Sequence, residues 1–188
     1  MPRVITGEAK GARLTAPKGE ACRPTADHVK EAVFSILGDG VEGRRWLDVF
    51  AGTGQMAIEA LSRGAASAVL IERDRAALRA IDANLSKTHL GDRAAVLRGD
   101  YRHHLRALAA GAETFDWIYI DPPWSLHGAV AEPLLEQLPR LVAPGGTVIV
   151  ERDRHMPADP AFDEVFTRVR GCQYGICVIS FYQLKERF

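Results

Sequence analysis

Residues 45–54 read Arg45-Trp46-Leu47-Asp48-Val49-Phe50-Ala51-Gly52-Thr53-Gly54, an apolar run that closes on an acid and passes into a glycine-rich turn. Residues 45–49 have the length and composition of a buried strand. Gly52 and Gly54 let the backbone turn sharply and come close to a ligand. A helix is predicted over residues 55–63, stopped by Gly64. This strand–turn–helix unit recurs along the chain. A strand at 68–71 precedes a helix that starts near Asp74, with Leu78, Ile81 and Leu85 along one side. A strand at 94–97 ends at Gly99-Asp100 and gives way to a helix through Leu108. A strand at 115–120 is followed by a helix over 130–141, then Pro144-Gly145-Gly146 and a fifth strand at 147–150. Short apolar strands alternating with helices predict an α/β fold, with a parallel sheet covered on both faces. Residues 164–170 and 176–183 read as two strands around 171–175. With no helix between them, they predict an antiparallel C-terminal hairpin that completes a mostly parallel, seven-stranded, Rossmann-like sheet.

Ligands of such sheets bind at the carboxyl ends of the strands, and four successive strand ends here carry an acid: Asp48, Glu72, Asp100 and Asp121. Glu72, twenty residues after Gly52, is placed to accept hydrogen bonds from both hydroxyls of a ribose. Asp100 is placed to accept from the amino group of an adenine. Two nucleoside cofactors compete for this arrangement. A nicotinamide dinucleotide also uses a Gly-x-Gly turn and an acid about twenty residues on, with Ala57 in the third position. But Asp48, just before the turn, would repel a pyrophosphate, whereas it suits the ammonium of a cationic amino acid. S-adenosylmethionine carries an adenosine, an ammonium and a sulfonium and no phosphate, so the acids match its groups one for one.

Residues 118–124 read Ile-Tyr-Ile-Asp-Pro-Pro-Trp. The prolines stiffen the strand exit. The Asp121 carboxylate and the Pro122 carbonyl are two acceptors in a fixed relation, with Pro123 and the flat ring of Trp124 beside them. Two acceptors and a ring suit a planar base bearing an amino group: the acceptors take the two N–H bonds and the ring stacks on the base. Holding both hydrogens on acceptors favours the pyramidal nitrogen whose lone pair is free to attack. This stretch therefore predicts transfer of a small group to an exocyclic nitrogen.

The chain has 188 residues, enough for one domain with a small appendage. No apolar run approaches the ~20 residues that span a bilayer, and the N-terminus lacks a signal-peptide layout. Cys22, Cys172 and Cys177 form no Cys-x-x-Cys pair, which fits reduced thiols in a cytoplasmic protein. The histidines have no metal-ligand spacing, so no metal site is expected. Net charge is zero, but residues 1–30 carry six basic residues against three acidic ones, a local basic excess suited to nucleic acid. Two short β-prone runs, Val4-Ile5-Thr6 and Arg13-Leu14-Thr15, predict a small hairpin around Gly7 and Gly11. Thr25 then caps a helix whose apolar stripe is Val29, Ala32, Val33, Ile36 and Leu37, with Phe34 off the stripe and Gly38 at its end. Arg98, Arg102 and Arg106 recur every four residues, a row on one face if that stretch is helical.

These residues together resemble a known family. The glycine-rich turn, the ribose acid, the Asp-Pro-Pro-aromatic turn and the Pro-Gly-Gly before the fifth strand resemble class I S-adenosylmethionine-dependent methyltransferases that act on amino groups. Arg23-Pro24-Thr25 followed by Val29-Lys30-Glu31-Ala32-Val33-Phe34-Ser35-Ile36-Leu37 resembles, more closely, the bacterial RsmD family. So do residues 47–54 and Glu59-Ala60-Leu61-Ser62-Arg63-Gly64-Ala65. The resemblance covers nearly the whole chain, and its most specific parts are the Arg-Pro-Thr lead-in and the run at 59–65. It implies methylation of the N2 amino group of guanine 966 in 16S ribosomal RNA, with residues 1–22 as a β-hairpin appendage and 23–188 as the methyltransferase domain; no long apolar surface stripe is left over, so a monomer is expected. Carried over, Asp48, Gly52 and Gly54, with Phe50, hold the methionine part of S-adenosylmethionine. Glu72 and Arg73 serve the ribose, and Asp100 and Tyr101 the adenine. Asp121, Pro122, Pro123 and Trp124 form the catalytic turn, Asp121 also bordering the cofactor. Arg3, Lys10, Arg13, Arg23 and Thr25 face the RNA or the small ribosomal subunit. Trp124 stands where the family usually has Phe or Tyr, and Gln55-Met56 replaces smaller residues. An adenine-N6 methyltransferase also uses an Asp-Pro-Pro-Trp turn and stays open as an alternative. So does a non-catalytic RNA-binding or ribosome-assembly module that keeps the fold.

Overall fold

The computed structural model describes residues 2–17, 27–123, 130–158 and 160–185. Seven strands form one sheet in the order β3-β2-β1-β4-β5-β7-β6. They are β1 (Arg45–Asp48), β2 (Ser67–Glu72), β3 (Ala94–Arg98), β4 (Phe115–Ile120), β5 (Val142–Asp153), β6 (Phe166–Tyr174) and β7 (Cys177–Leu184). The first five run parallel, and β7 is antiparallel to both of its neighbours. Six strands thus share a direction and β7 alone is reversed. Strand order turns back between β1 and β4, the switch point at which open α/β sheets bind ligands.

Alternation along the strands sorts the core into two faces. Trp46, Ala68, Leu70, Tyr119 and Ile149 point to a layer with α1 (Asp27–Leu37), α2 (Gln55–Ser62) and α3 (Arg75–Thr88). Leu47, Ile71, Ile118, Ile120 and Val148 point to the opposite layer, with α4 (Tyr101–Ala110), α5 (Ala131–Leu141) and α6 (Pro160–Val165). An aromatic column crosses the first face: Phe34 on α1 stacks on Trp46 at 5.4 Å, and Trp46 on Tyr119 at 6.2 Å.

Several expectations need correcting in detail. The buried side of α1 is Val29, Lys30, Val33, Phe34 and Leu37, while Ala32 and Ile36 are only half-buried. The stripe is turned because Phe34 belongs to the core and Lys30 is drawn in by Glu59. The arginine row is broken: Arg102 and Arg106 lie four residues apart on α4, but Arg98 precedes that helix. Arg98 is the last residue of β3 and pairs with Asp82 at 2.8 Å, whereas Arg106 lies on α4 and pairs with Glu136 at 3.6 Å. The final strand pair turns at residues 175–176 rather than over 171–175, and residues 160–165, ahead of it, are helical. The helix cap at Thr25 lies outside the described residues.

The N-terminal hairpin is bound to the first face. Arg3 and Arg13 form an antiparallel bridge, and Val4 and Leu14, each 1% exposed, join the core of α1–α3. Its tip meets the end of α2: Glu8 N–H donates to the Ser62 carbonyl, and the Glu8 carboxylate pairs with Arg93, just before β3. The tip therefore lies at the edge where the parallel strands begin. Gly7 has φ +90°, and a Cβ there would fall 1.7 Å from the Ser62 carbonyl oxygen. Glu59, fully buried, accepts from the Ile5 and Thr6 N–H groups at 2.8 and 3.0 Å and from Arg63 Nε at 2.8 Å. Lys30, also fully buried, lies 3.8 Å from Glu59 and donates to the Arg3 carbonyl. Burial pushes the Lys30 ammonium below its ordinary range, with Glu59 and Asp27 opposing the shift. A buried charge is tolerable only with such partners.

Candidate active site

The site is built where β1, β2, β3 and β4 end. After Asp48 the backbone continues its pairing with β4 through Val49 N–H to the Tyr119 carbonyl at 3.0 Å. It then turns at Gly52 and Gly54, both with positive φ. Gly54 is the N-cap of α2, and a Cβ there would stand 3.0 Å from Leu70 and 3.3 Å from Ile81. No side chain caps this helix end, so its first N–H groups and their partial positive charge face the turn.

Glu72 holds the turn in place. Its Oε2 accepts from the Gly52 N–H at 2.8 Å, and its Oε1 accepts from the Arg73 and Asp74 N–H groups at 2.7 and 2.8 Å. Asp74 in turn caps α3, accepting from the Ala76 and Ala77 N–H groups. Asp100 is the N-cap of α4 and accepts from the Arg102 N–H at 2.9 Å. Tyr101 follows it, 5% exposed, and its ring lies 4.8 Å from that of Phe50 in a tilted pair. Six of the expected cofactor residues, Phe50, Gly52, Gly54, Glu72, Asp100 and Tyr101, therefore line one edge of the sheet, while the Arg73 side chain is exposed beside it.

Asp48 sits beneath the turn, 1% exposed. Burial pushes its carboxyl up to about 8, with the Glu72 charge adding and a hydrogen bond from the Ala57 N–H opposing. Its Oδ1, the Thr53 hydroxyl and the Gln55 side-chain oxygen are buried without hydrogen-bond partners among the described residues. Buried oxygens left unmatched are expensive, and a group rich in N–H donors would satisfy them. The fit of this pocket to an ammonium rests on that donor deficit.

On β4, Tyr119 points to the same face as Asp48, and its hydroxyl donates to Glu151 on β5. Its phenol is pushed well up by burial and then by the charges of Glu151, Asp121 and Asp48. The Cys177 thiol also donates to Glu151, at 3.2 Å, and is pushed up by burial and that same charge. Glu151 and Tyr119 went unnoticed in the sequence, although a Tyr two residues before the acid of the turn carries the alternation signal. Asp121 is half-buried, Pro122 buried and Pro123 exposed. On the opposite side of the turn a cavity of about 260 Å³, lined among others by Pro122, Leu134, Arg152, Met156 and Phe162, separates α5 from β5.

Of the expected RNA residues, Arg3, Lys10 and Arg13 are exposed on the hairpin, and Arg3 pairs with Asp27 at 3.5 Å. Lys10, at the tip, lies towards the far edge of the sheet from the glycine turn. Arg23, Thr25 and Trp124 lie outside the described residues. Among the described residues there is no group of three metal-ligating side chains and no helix long and apolar enough to cross a membrane.

Known proteins share this sequence and shape. Residues 2–183 match the family model described as "Conserved hypothetical protein 95". The chain is 35% identical over 182 residues to the Bacillus subtilis protein named "Putative rRNA methyltransferase YlbH", a match that spans 96% of this chain and 98% of that one. It is 29% identical over 183 residues to "Ribosomal RNA small subunit methyltransferase D" of Haemophilus influenzae, spanning 96% and 93%. The solved structure titled "Putative methyltransferase yhhF from Escherichia coli" superposes with a TM-score of 0.81 at 30% identity, covering 99% of each chain.

Proposed function

The chain belongs to the Conserved hypothetical protein 95 family, the RsmD family, and from that membership we propose that it methylates the N2 amino group of a guanine in 16S ribosomal RNA, using S-adenosylmethionine. The observation that carries the cofactor is the buried, donor-deficient Asp48 oxygen beneath a glycine turn that Glu72 holds by the Gly52 N–H. In this reading Asp48, Gly52 and Gly54, with Phe50, receive the amino-acid end of the cofactor. Glu72, beside Arg73, receives the ribose, and Asp100 and Tyr101 the adenine edge.

When bound, S-adenosylmethionine supplies an electrophilic methyl group on a sulfonium. The protein's own contribution is orientation. The Asp121 carboxylate and the Pro122 carbonyl accept the two amino hydrogens and aim the nitrogen lone pair, while Pro123 stiffens the turn. Positioning of this kind lowers a barrier by ~7–11 kcal/mol. Asp121 accepts a hydrogen bond from the amino group and needs no unusual basicity, because the proton becomes acidic only as the nitrogen acquires its new bond and is then lost to that carboxylate and on to water. An amino group held on both hydrogens in this way belongs to a base that has left its stack or already lies in a loop. Residues 1–22 form the RNA-facing appendage, with Arg3, Lys10 and Arg13 as phosphate contacts, and 23–188 the methyltransferase domain, acting as a cytoplasmic monomer.

The test is to incubate the protein with methyl-labelled S-adenosylmethionine and, separately, small ribosomal subunits, naked 16S RNA, DNA and a protein extract. Digestion of the labelled product should yield N2-methylguanosine. Label on adenine N6 would overturn the base assignment, and no transfer to any RNA would overturn the function.

A further inference from the structure

Asn84 is the least expected polar residue of the first layer. It lies on α3, is fully buried, and its side-chain amide spends three hydrogen bonds on two separate segments. Its Oδ1 accepts from the Thr15 N–H at 2.7 Å, and its Nδ2 donates to the Thr15 carbonyl and to the Thr53 carbonyl, both at 3.0 Å. Both amide hydrogens are therefore used, one on the strand that leaves the N-terminal hairpin and one on the glycine turn. The two segments are 38 residues apart in the chain and share this one planar group.

The surrounding contacts make the link direct. Leu14, next to Thr15, is buried in the core, and Lys87, one turn of α3 beyond Asn84, donates to the Arg13 carbonyl at 2.6 Å. Thr53 is the residue between Gly52 and Gly54, so its carbonyl cannot move without shifting the backbone that carries both glycines. Neither hydrogen bond is needed to finish a helix or a strand. An apolar residue of similar volume would fill the space but leave the buried Thr53 carbonyl unpaired, which is costly, and would release the Thr15 backbone groups to solvent.

We propose that Asn84 is a positioning residue that joins the hairpin strand at Thr15 to the cofactor turn at Thr53, so that binding of the methyl donor tightens the hairpin against the domain. The inference rests on the reading of the glycine turn as the S-adenosylmethionine site. By linkage the effect is reciprocal: a well-seated hairpin strand favours the donor-binding shape of the turn.

Two measurements test it without turnover. The first is titration calorimetry with S-adenosylmethionine on the full chain, wild type against Asn84→Ala and the isosteric Asn84→Asp, which lacks the amide donors without opening a cavity. Both variants should bind the donor about tenfold more weakly. The second is limited trypsin cleavage after Arg13, whose neighbour Leu14 is buried, compared with cleavage after Arg140 as a monitor of global opening. In the wild type, saturating donor should slow cleavage at Arg13 more than at Arg140. In the variants cleavage at Arg13 should be faster and the donor's extra protection lost. Where Asn84→Ala fails to fold, Asn84→Asp alone decides. Wild-type protein that binds no donor would defeat the reading of the turn. Wild type that binds donor, with variants matching it in affinity and in differential protection, would defeat the role of Asn84.

Discussion

The Glu72 carboxylate accepts the Gly52 N–H at 2.8 Å, so the acid ending β2 fixes the turn that ends β1. The same carboxylate accepts from two N–H groups leading into α3. Glu72→Gln replaces one acceptor oxygen with an amide that faces N–H donors. We expect S-adenosylmethionine affinity to fall by tenfold or more, a loss of about 1.4 kcal/mol per decade, and calorimetric titration would measure it. The thermal midpoint should fall as well.

Asp48 gives a pH prediction. Its folded-state value of about 8 lies above the ordinary carboxyl value of 3.8, so between these limits the native protein holds a proton that the unfolded chain has released. The stability this confers is complete at the acid end and is lost as pH rises through about 8, with a slope of at most ~1.4 kcal/mol per pH unit. Urea melts of the donor-free protein from pH 5 to pH 9 would show the decline. Asp48→Asn should flatten it. Donor binding at pH 7 should release a proton, visible as a buffer-dependent calorimetric heat.

Asp121→Ala separates orientation from cofactor binding. The variant should bind S-adenosylmethionine within a few fold of wild type and lose turnover by about 100-fold or more. Equal loss of both would contradict the assignment of Asp121 to the target amino group.

Gly7 and Gly11 give a matched pair. Both have positive φ, but a Cβ at Gly7 would collide with Ser62, whereas one at Gly11 would meet nothing within 4 Å. Gly11→Ala should cost about 1–2 kcal/mol, the strain of a left-handed alanine, and Gly7→Ala about 3 kcal/mol or more. Chemical denaturation measures both.

Lys10→Ala and Arg13→Ala test the reach of the RNA. Each should weaken binding of the small subunit, raise KM with little change in kcat, and reduce the salt slope by roughly one counterion. An effect of Arg13→Ala alone would confine the contact to the part of the hairpin nearer the glycine turn.

The alternation of strands and helices was legible in the sequence because parallel strands are buried on both faces and read as short apolar runs, whereas their order across the sheet was not. The row of acids was legible for the same reason: each follows such a run. The contacts made by Glu59, Ser62 and Asn84 were not legible, since their hairpin partners stand 53 to 69 residues away and Thr53 stands 31 from Asn84, and nothing local marks the pairing. The resemblance singled out the run at 59–65, and the structure supplies its physical meaning. Glu59 and Ser62 receive the hairpin backbone, and Arg63 stacks on Phe34 at 4.8 Å. Lys30 misled the helix stripe because a lysine is ordinarily assigned to solvent. Its burial becomes intelligible only once Glu59 is placed opposite.

The reversal of β7 has a practical use. Leu184, the last residue of that strand and 37% exposed, emerges on the rim where the parallel strands start. A Leu184→Cys attachment would anchor the molecule to a surface with the strand ends that carry Asp48, Glu72 and Asp100 pointing outward.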